Sequence, residues 1–186
     1  MTTPDTVTSE ETLAVNQRRR RRKVRRTQKQ ILVGSVLSIL AALLLIQLIP
    51  VGSRTNPPVI AEPNWDSPAT RALAQRACYD CHSNETVWPW YSYVAPVSWM
   101  VVKDVIEGRQ VLNFSEWTLE EQLMTEPEEA VEQVSKNLMP LPYYILLHPA
   151  ADLTDLEQGQ LINGLLFTLT QAGEEALEAA DLEKAD

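Results

Sequence analysis

Cysteine and histidine are scarce: the 186-residue chain has two of each. Two thiols allow at most one disulfide. A structural zinc site, which usually takes four Cys or His ligands, would have to gather Cys78, Cys81, His82 and the distant His148. Internal repeats and any sustained strand pattern are also lacking, which leaves an all-α reading. Acidic residues are missing from Arg18 to Lys29, a stretch with nine Lys and Arg, and charge of either sign is missing from Ile31 to Ile49. After Pro50 the balance reverses: 7 basic residues stand against 22 acidic ones, a net charge of −15.

The scarce residues are clustered. Cys78-Tyr79-Asp80-Cys81-His82 reads C-x-x-C-H. Two thiols separated by two residues can reach the two vinyl groups on one edge of a porphyrin, and the next residue's imidazole then lies over the iron as an axial ligand. The pattern points to one covalently attached haem c, with Cys78, Cys81 and His82 as its primary holders. A lone disulfide would leave His82 without a role. A thioredoxin-like pair would open a helix in a βαβ unit, whereas here a helical pattern runs into Cys78 from its N-terminal side.

Charge and hydropathy divide the chain. Residues 1–30 form a basic tail expected on the cytoplasmic side, its first 17 residues polar and expected to be disordered. Residues 31–50 are expected to cross the membrane, since the 19 uncharged residues from Ile31 to Ile49 would span about 28 Å as a helix. The basic flank orients that span with the remainder outside the cytoplasm, in the periplasm or beyond, and touches anionic lipid headgroups. A nucleic-acid arm is the other meaning of such a run, but its position beside the apolar segment argues for membrane and no nucleic acid. A cleaved signal peptide is the alternative to an uncleaved anchor; the apolar run is long for one and no clear cleavage site follows. Residues 51–66, with Pro57, Pro58 and Pro63, suggest an extended linker reaching up to about 45 Å, or one packed on the domain. Residues 67–173 make the haem domain, and 174–186 an acidic, fraying tail.

Within the domain, Ser67-Pro68 caps a helix that delivers Cys78. Trp88, Trp90 and Tyr91 of an aromatic loop, together with Tyr143, are candidate walls of the haem pocket. A helix follows from Pro96 to about Gln110; Arg109 near its end suits either a haem propionate or the helix C-terminus. Thr118 with Glu121 forms a capping box for Leu119 to Met124, and Glu126-Pro127 opens a helix to about Asn137. Met139, in the proline-stiffened loop Leu138 to Pro142, is the favoured sixth iron ligand. His148 is its rival, and an open position remains a third possibility. Thr154 with Glu157 caps a last helix expected to end at Gly173.

The helix into C-x-x-C-H, the Met-Pro loop and the terminal helix resemble the class I cytochrome c arrangement. The chain more closely resembles the bacterial haem-binding domain family of membrane-anchored, single-haem proteins. That resemblance rests on C-x-x-C-H-S-N at Cys78 to Asn84, W-P-W-Y-S at Trp88 to Ser92 and A-P-V-S-W at Ala95 to Trp99. E-G-R at Glu107 to Arg109, L-N-F-S-E-W at Leu112 to Trp117, Met139-Pro140 and L-H-P at Leu147 to Pro149 complete it. It implies thioethers at Cys78 and Cys81, His82 as proximal ligand and Met139 as distal ligand. The expected function is single-electron transfer by a membrane-anchored monohaem cytochrome that is not itself an enzyme. It would act as a carrier or as a subunit of a respiratory or photosynthetic complex. The partner is expected to present a basic docking surface, with association that weakens with salt. The alternatives are a haem-based sensor or ligand binder and, more distantly, a thiol oxidoreductase.

Overall fold

The computed structural model describes residues 9–185 and is all-α. Its contacts divide the chain into two units, 1–50 and 51–186.

The first unit is one helix, α1 (Ser9–Ile46). Residues 9–17, expected to be disordered, are already helical and lead into the basic run; residues 1–8 lie outside the described residues. A run of Arg and Lys keeps adequate helix propensity and continues without a break into the Leu- and Ile-rich segment. Asn16–Ile46 is long and apolar enough to cross a membrane. Ile31, Leu32, Leu37, Leu40 and Leu44 are all exposed along it. At about 25 cal/mol per Å² of apolar surface, such exposure is unfavourable in water and is relieved in lipid.

The second unit starts with the proline-rich stretch, which is packed on the domain rather than extended. Arg54 Nε donates to the Ser92 carbonyl (2.6 Å), and Asn56 Nδ2 to the Thr86 carbonyl (2.9 Å). Ile60 N donates to the Ser115 carbonyl, and Trp117 N to that of Ala61. Proline lowers the entropy cost of laying this strand-like segment down, and its remaining N–H groups find carbonyls on the domain.

The helices then follow in the expected order: α2 (Pro68–Ala77), α3 (Tyr79–His82), α4 (Val97–Val111), α5 (Leu119–Met124), α6 (Pro127–Ser135), α7 (Pro142–Leu147) and α8 (Asp155–Ala185). Short 3₁₀ turns occupy Trp90–Tyr93 and Pro149–Ala151. Ser67 caps α2 through Thr70 N (3.1 Å), with Pro68 in its first turn. Thr154 and Glu157 form the full reciprocal box on α8. On α5 the box is half made: Thr118 accepts from Glu121 N, but the Glu121 carboxylate bonds Asn113 N (2.7 Å) instead of reaching back. The helix α8 does not stop at Gly173 but runs to Ala185, because Gly173 keeps a negative φ and no left-handed cap forms.

The core gathers Leu73 and Ala74 of α2, Tyr79 of α3, Phe114, Trp117, Val134 of α6, and Leu161, Leu165 and Leu169 of α8. Helices α2 and α8 meet at Gly164, where a Cβ would run into the Thr70 side chain. This crossing fixes α2, and with it the direction in which the chain enters α3.

Candidate functional site

The single turn Tyr79–His82 carries the C-x-x-C-H motif, held from both sides. Cys78 N still bonds back into α2 at the Ala74 carbonyl, so the motif starts where that helix ends. On the other side α4 approaches so closely that a Cβ at Gly108 would lie 2.6 Å from the Cys81 carbonyl oxygen. Gly108 sits mid-helix because nothing larger fits against the motif.

After His82 the chain is locked to the segment 112–116. Phe114 N donates to the His82 carbonyl, Asn84 N to Ser115 Oγ, and Asn113 Nδ2 to Asn84 Oδ1 (3.1 Å). Asn84 Nδ2 also donates to the Pro58 carbonyl and to Glu116 Oε1. Asn84, Asn113 and Ser115 are buried and mutually paired, which is the condition under which a polar cluster specifies one arrangement.

His82 Nδ1 lies 3.0 Å from the Leu112 carbonyl oxygen. A carbonyl can only accept, so Nδ1 carries the hydrogen and Nε2 keeps its lone pair. Burial lowers the imidazole pKa from its ordinary value, so the ring stays neutral and able to ligate. A backbone carbonyl behind the ring is the usual device that fixes orientation and tautomer of a metal-binding histidine.

Beside this imidazole is a cavity of about 600 Å³. Cys78, Cys81 and His82 form one part of its wall; Leu112, Phe114, Val134 and Leu165 supply apolar surface; Met139, Pro140, Tyr143 and Tyr144 come from the loop and α7. Burial pushes the Cys78 thiol up to about 12; burial, reinforced by Asp104 and Asp80, does the same for Cys81. Thiols held protonated are poor agents of disulfide exchange. Among the described residues no group of three or more His, Cys, Asp or Glu side chains is disposed to hold a bare metal ion.

The expected site residues separate into two sets. Cys78, Cys81, His82, Met139 and Tyr143 share the cavity, whereas Trp88, Trp90 and Tyr91 do not line it. Trp88 Nε1 turns to Asn56 Oδ1 (3.1 Å), Trp90 is 77% exposed, and Tyr91 OH bonds His148 Nε2 (3.2 Å). His148 is absent from the lining too: its Nδ1 meets the Tyr144 carbonyl (3.1 Å), its ring stacks on Tyr144 at 4.1 Å, and its Nε2 is taken by Tyr91. Arg109 is likewise occupied elsewhere, donating to Ser83 O, Thr55 O, Asn56 Oδ1 and Thr86 Oγ1. It ties linker, motif and α4 together.

Two pairings not foreseen from sequence close the cavity. Tyr144 OH donates to Asp80 Oδ2 (2.7 Å), and Tyr143 OH to Asp104 Oδ2 (2.9 Å). Burial raises the Asp104 pKa, and burial with the Asp104 contact pushes Tyr143 up to about 12. Both bonds pin α7, and hence the Met139-Pro140 loop just before it, against α3 and α4. Asp80 inside the motif and the Tyr pair at the start of α7 were the signals available; neither type of residue is diagnostic alone.

The cavity's chemistry suits a porphyrin: apolar walls, a neutral imidazole nitrogen, a thioether sulfur and two thiols beside the imidazole. Neither a curated protein nor a solved structure matches the chain. A family model described as a haem-binding domain matches residues 41–166, from inside the apolar run to the middle of α8. The match covers more than half of the chain and includes every cavity-lining residue, and the chain therefore belongs to the haem-binding domain family.

Proposed function

We propose that this chain is a membrane-anchored monohaem c-type cytochrome that passes single electrons on the extracytoplasmic side. When bound, the haem supplies the Fe(III)/Fe(II) couple. The chain's residues supply the rest. Cys78 and Cys81 would hold the haem as thioethers, each S–H adding across one vinyl group so that no oxidant is needed. His82 would hold the iron through Nε2 while Leu112 keeps Nδ1–H, and Met139 would supply a thioether sulfur. In this reading the chain is a carrier rather than a catalyst.

The observation that carries this reading is the placement of Met139 and His82 on one cavity while both nitrogens of the rival His148 are engaged outside it. Asp80, Asp104, Glu107, Glu126 and Glu129 also line the cavity, and no Lys or Arg does among the described residues. The haem carboxylates would find no cation on these walls, and a redox partner reaching the cavity would meet acid. A partner or complex with a basic docking surface suits it.

The test is the absorption spectrum of the full chain made in cells competent to attach haem, oxidised and then reduced, beside Met139→Ala and His148→Ala. Sharp reduced bands, covalent retention of haem on denaturation, and a weak far-red thioether band lost only in Met139→Ala are expected. Carbon monoxide binding by the reduced wild type would move the reading to a haem sensor. Absence of covalent haem would end it.

A further inference from the structure

The acids of the second unit are distributed unevenly. Residues 51–61 and 86–103 contain no Asp or Glu, yet the unit as a whole carries 22. The fold brings these two stretches together. Arg54 Nε bonds the Ser92 carbonyl and its guanidinium lies over the Tyr93 ring at 4.9 Å. Asn56 is bonded to Thr86 and Trp88, and Gly52 sits against Val102 and Ile106. The result is one acid-free corner, made of the first residues of the unit, the 3₁₀ turn Trp90–Tyr93 and the start of α4.

That corner is also apolar and bare. Val87, Trp90, Tyr93, Val94, Val97 and Met100 are all exposed, with Val87 at 75% and Trp90 at 77%. Trp90 and Tyr93 therefore do not serve the haem cavity, and Met100 faces out. The cations here are Arg54 and, at the edge, Lys103, which pairs with Glu107 on the next turn of α4 at 3.6 Å. Exposed Trp and Tyr, scattered aliphatics and a cation at the edge are the composition of a surface that rests in the headgroup layer of a bilayer. In an otherwise acidic domain, this is a face that anionic lipid would not repel.

Chain connectivity says which surface is near. Ile49 ends the uncharged run, and Gly52 and Arg54 already belong to this corner. Five residues of extended chain reach at most about 18 Å. Those residues are fixed on the domain by hydrogen bonds and packing, so the chain that leaves the apolar run enters the domain at this corner.

We propose that this acid-free aromatic corner lies on the outer bilayer surface, so that the haem domain is held flat against the lipid instead of projecting on a flexible stalk. The proposal rests on the membrane-anchored reading above but not on the redox chemistry. A protein partner covering the same corner is the competing occupant.

The test places p-benzoylphenylalanine at position 90 or at position 97 of the full chain, and at positions 156 and 167 of α8 as references. Helix α8 packs on α2, α5 and α6 and not on this corner, and Leu156 and Phe167 are exposed on it. Each protein is reconstituted into phosphatidylcholine–phosphatidylglycerol vesicles, floated, and irradiated, with its haem spectrum confirming the fold. Lipid adducts several-fold more abundant at 90 and 97 than at 156 and 167 are the expected result. Equal yields at all four positions, or adducts at 90 and 97 to a second protein chain, would overturn the proposal while leaving the anchor intact. Failure to float would remove both.

Discussion

The cavity depends on a small number of close contacts, and Gly108 is the most sensitive of them. Its added Cβ would lie 2.6 Å from the Cys81 carbonyl oxygen and 3.1 Å from Cys81 Cβ, so α4 or the motif must move. Gly108→Ala is expected to lower stability by about 1–3 kcal/mol despite the better helix propensity of Ala. It should also reduce the haem-to-protein ratio, read from a haemochrome assay against total protein. Gly159→Ala is the control: nothing lies within 4 Å of the added methyl on α8, and there Ala should stabilise by up to about 1 kcal/mol. If the two variants behave alike, close approach to Cys81 is not what keeps residue 108 a glycine. The motif residues themselves were legible in sequence because C-x-x-C-H has few competing meanings. Asp80, Asp104 and Tyr144 were not, since a Tyr–Asp bond joins positions 39 or 64 residues apart and leaves no local pattern.

At the level of elements, the helix order and most helix starts could be read from caps, because Ser67, Thr118 and Thr154 act within three residues of themselves. What could not be read was where segments without periodicity would lie. Proline-rich chain is equally compatible with a free stalk and a docked strand, and only tertiary hydrogen bonds decide. The ion pair between Glu62, at the end of that stretch, and Arg71 of α2 shows the docking energetically. Its two bonds are both 2.7 Å, and the side chains are 26% and 37% exposed. The bond from Arg71 lowers the Glu62 pKa. A depressed carboxylate pKa gives stability that is present above the unfolded-state value and lost as pH falls through the folded one. Arg71→Gln should therefore cost at most about 1 kcal/mol at neutral pH, given the partial exposure, and nothing in acid. Urea melts of wild type and variant at the two pH values check this. Asp104 and Glu121, whose pKa values are raised by burial, tilt stability the other way but do so in both proteins, so the comparison cancels them.

For the whole molecule the governing quantity is the cavity itself. About 600 Å³ sits at the centre of a haem domain whose core helices α2, α4, α6 and α8 all contribute to its wall or to the layer behind it. That space is partly open and has Asp80, Asp104, Glu107, Glu126 and Glu129 among its lining residues, so without a ligand it holds water, and the apolar part of its wall lacks the packing contacts that a bound group would supply. The fold is therefore expected to be completed by its cofactor: Trp117, Phe114 and Tyr79 can form their cluster alone, but α7 and the Met139 loop are held to α3 and α4 by two Tyr–Asp bonds and have little apolar surface to pack on without a ligand between them and the motif. Chain produced in cells unable to attach haem should keep much of its helical circular dichroism yet melt broadly and well below the haem-loaded protein. Proteolysis would then cut first between Asn137 and Leu147. An apo protein with a sharp melt close to that of the loaded form, and a protected Met139 loop, would mean that the cavity walls are self-supporting and that the haem is a passenger in a finished fold.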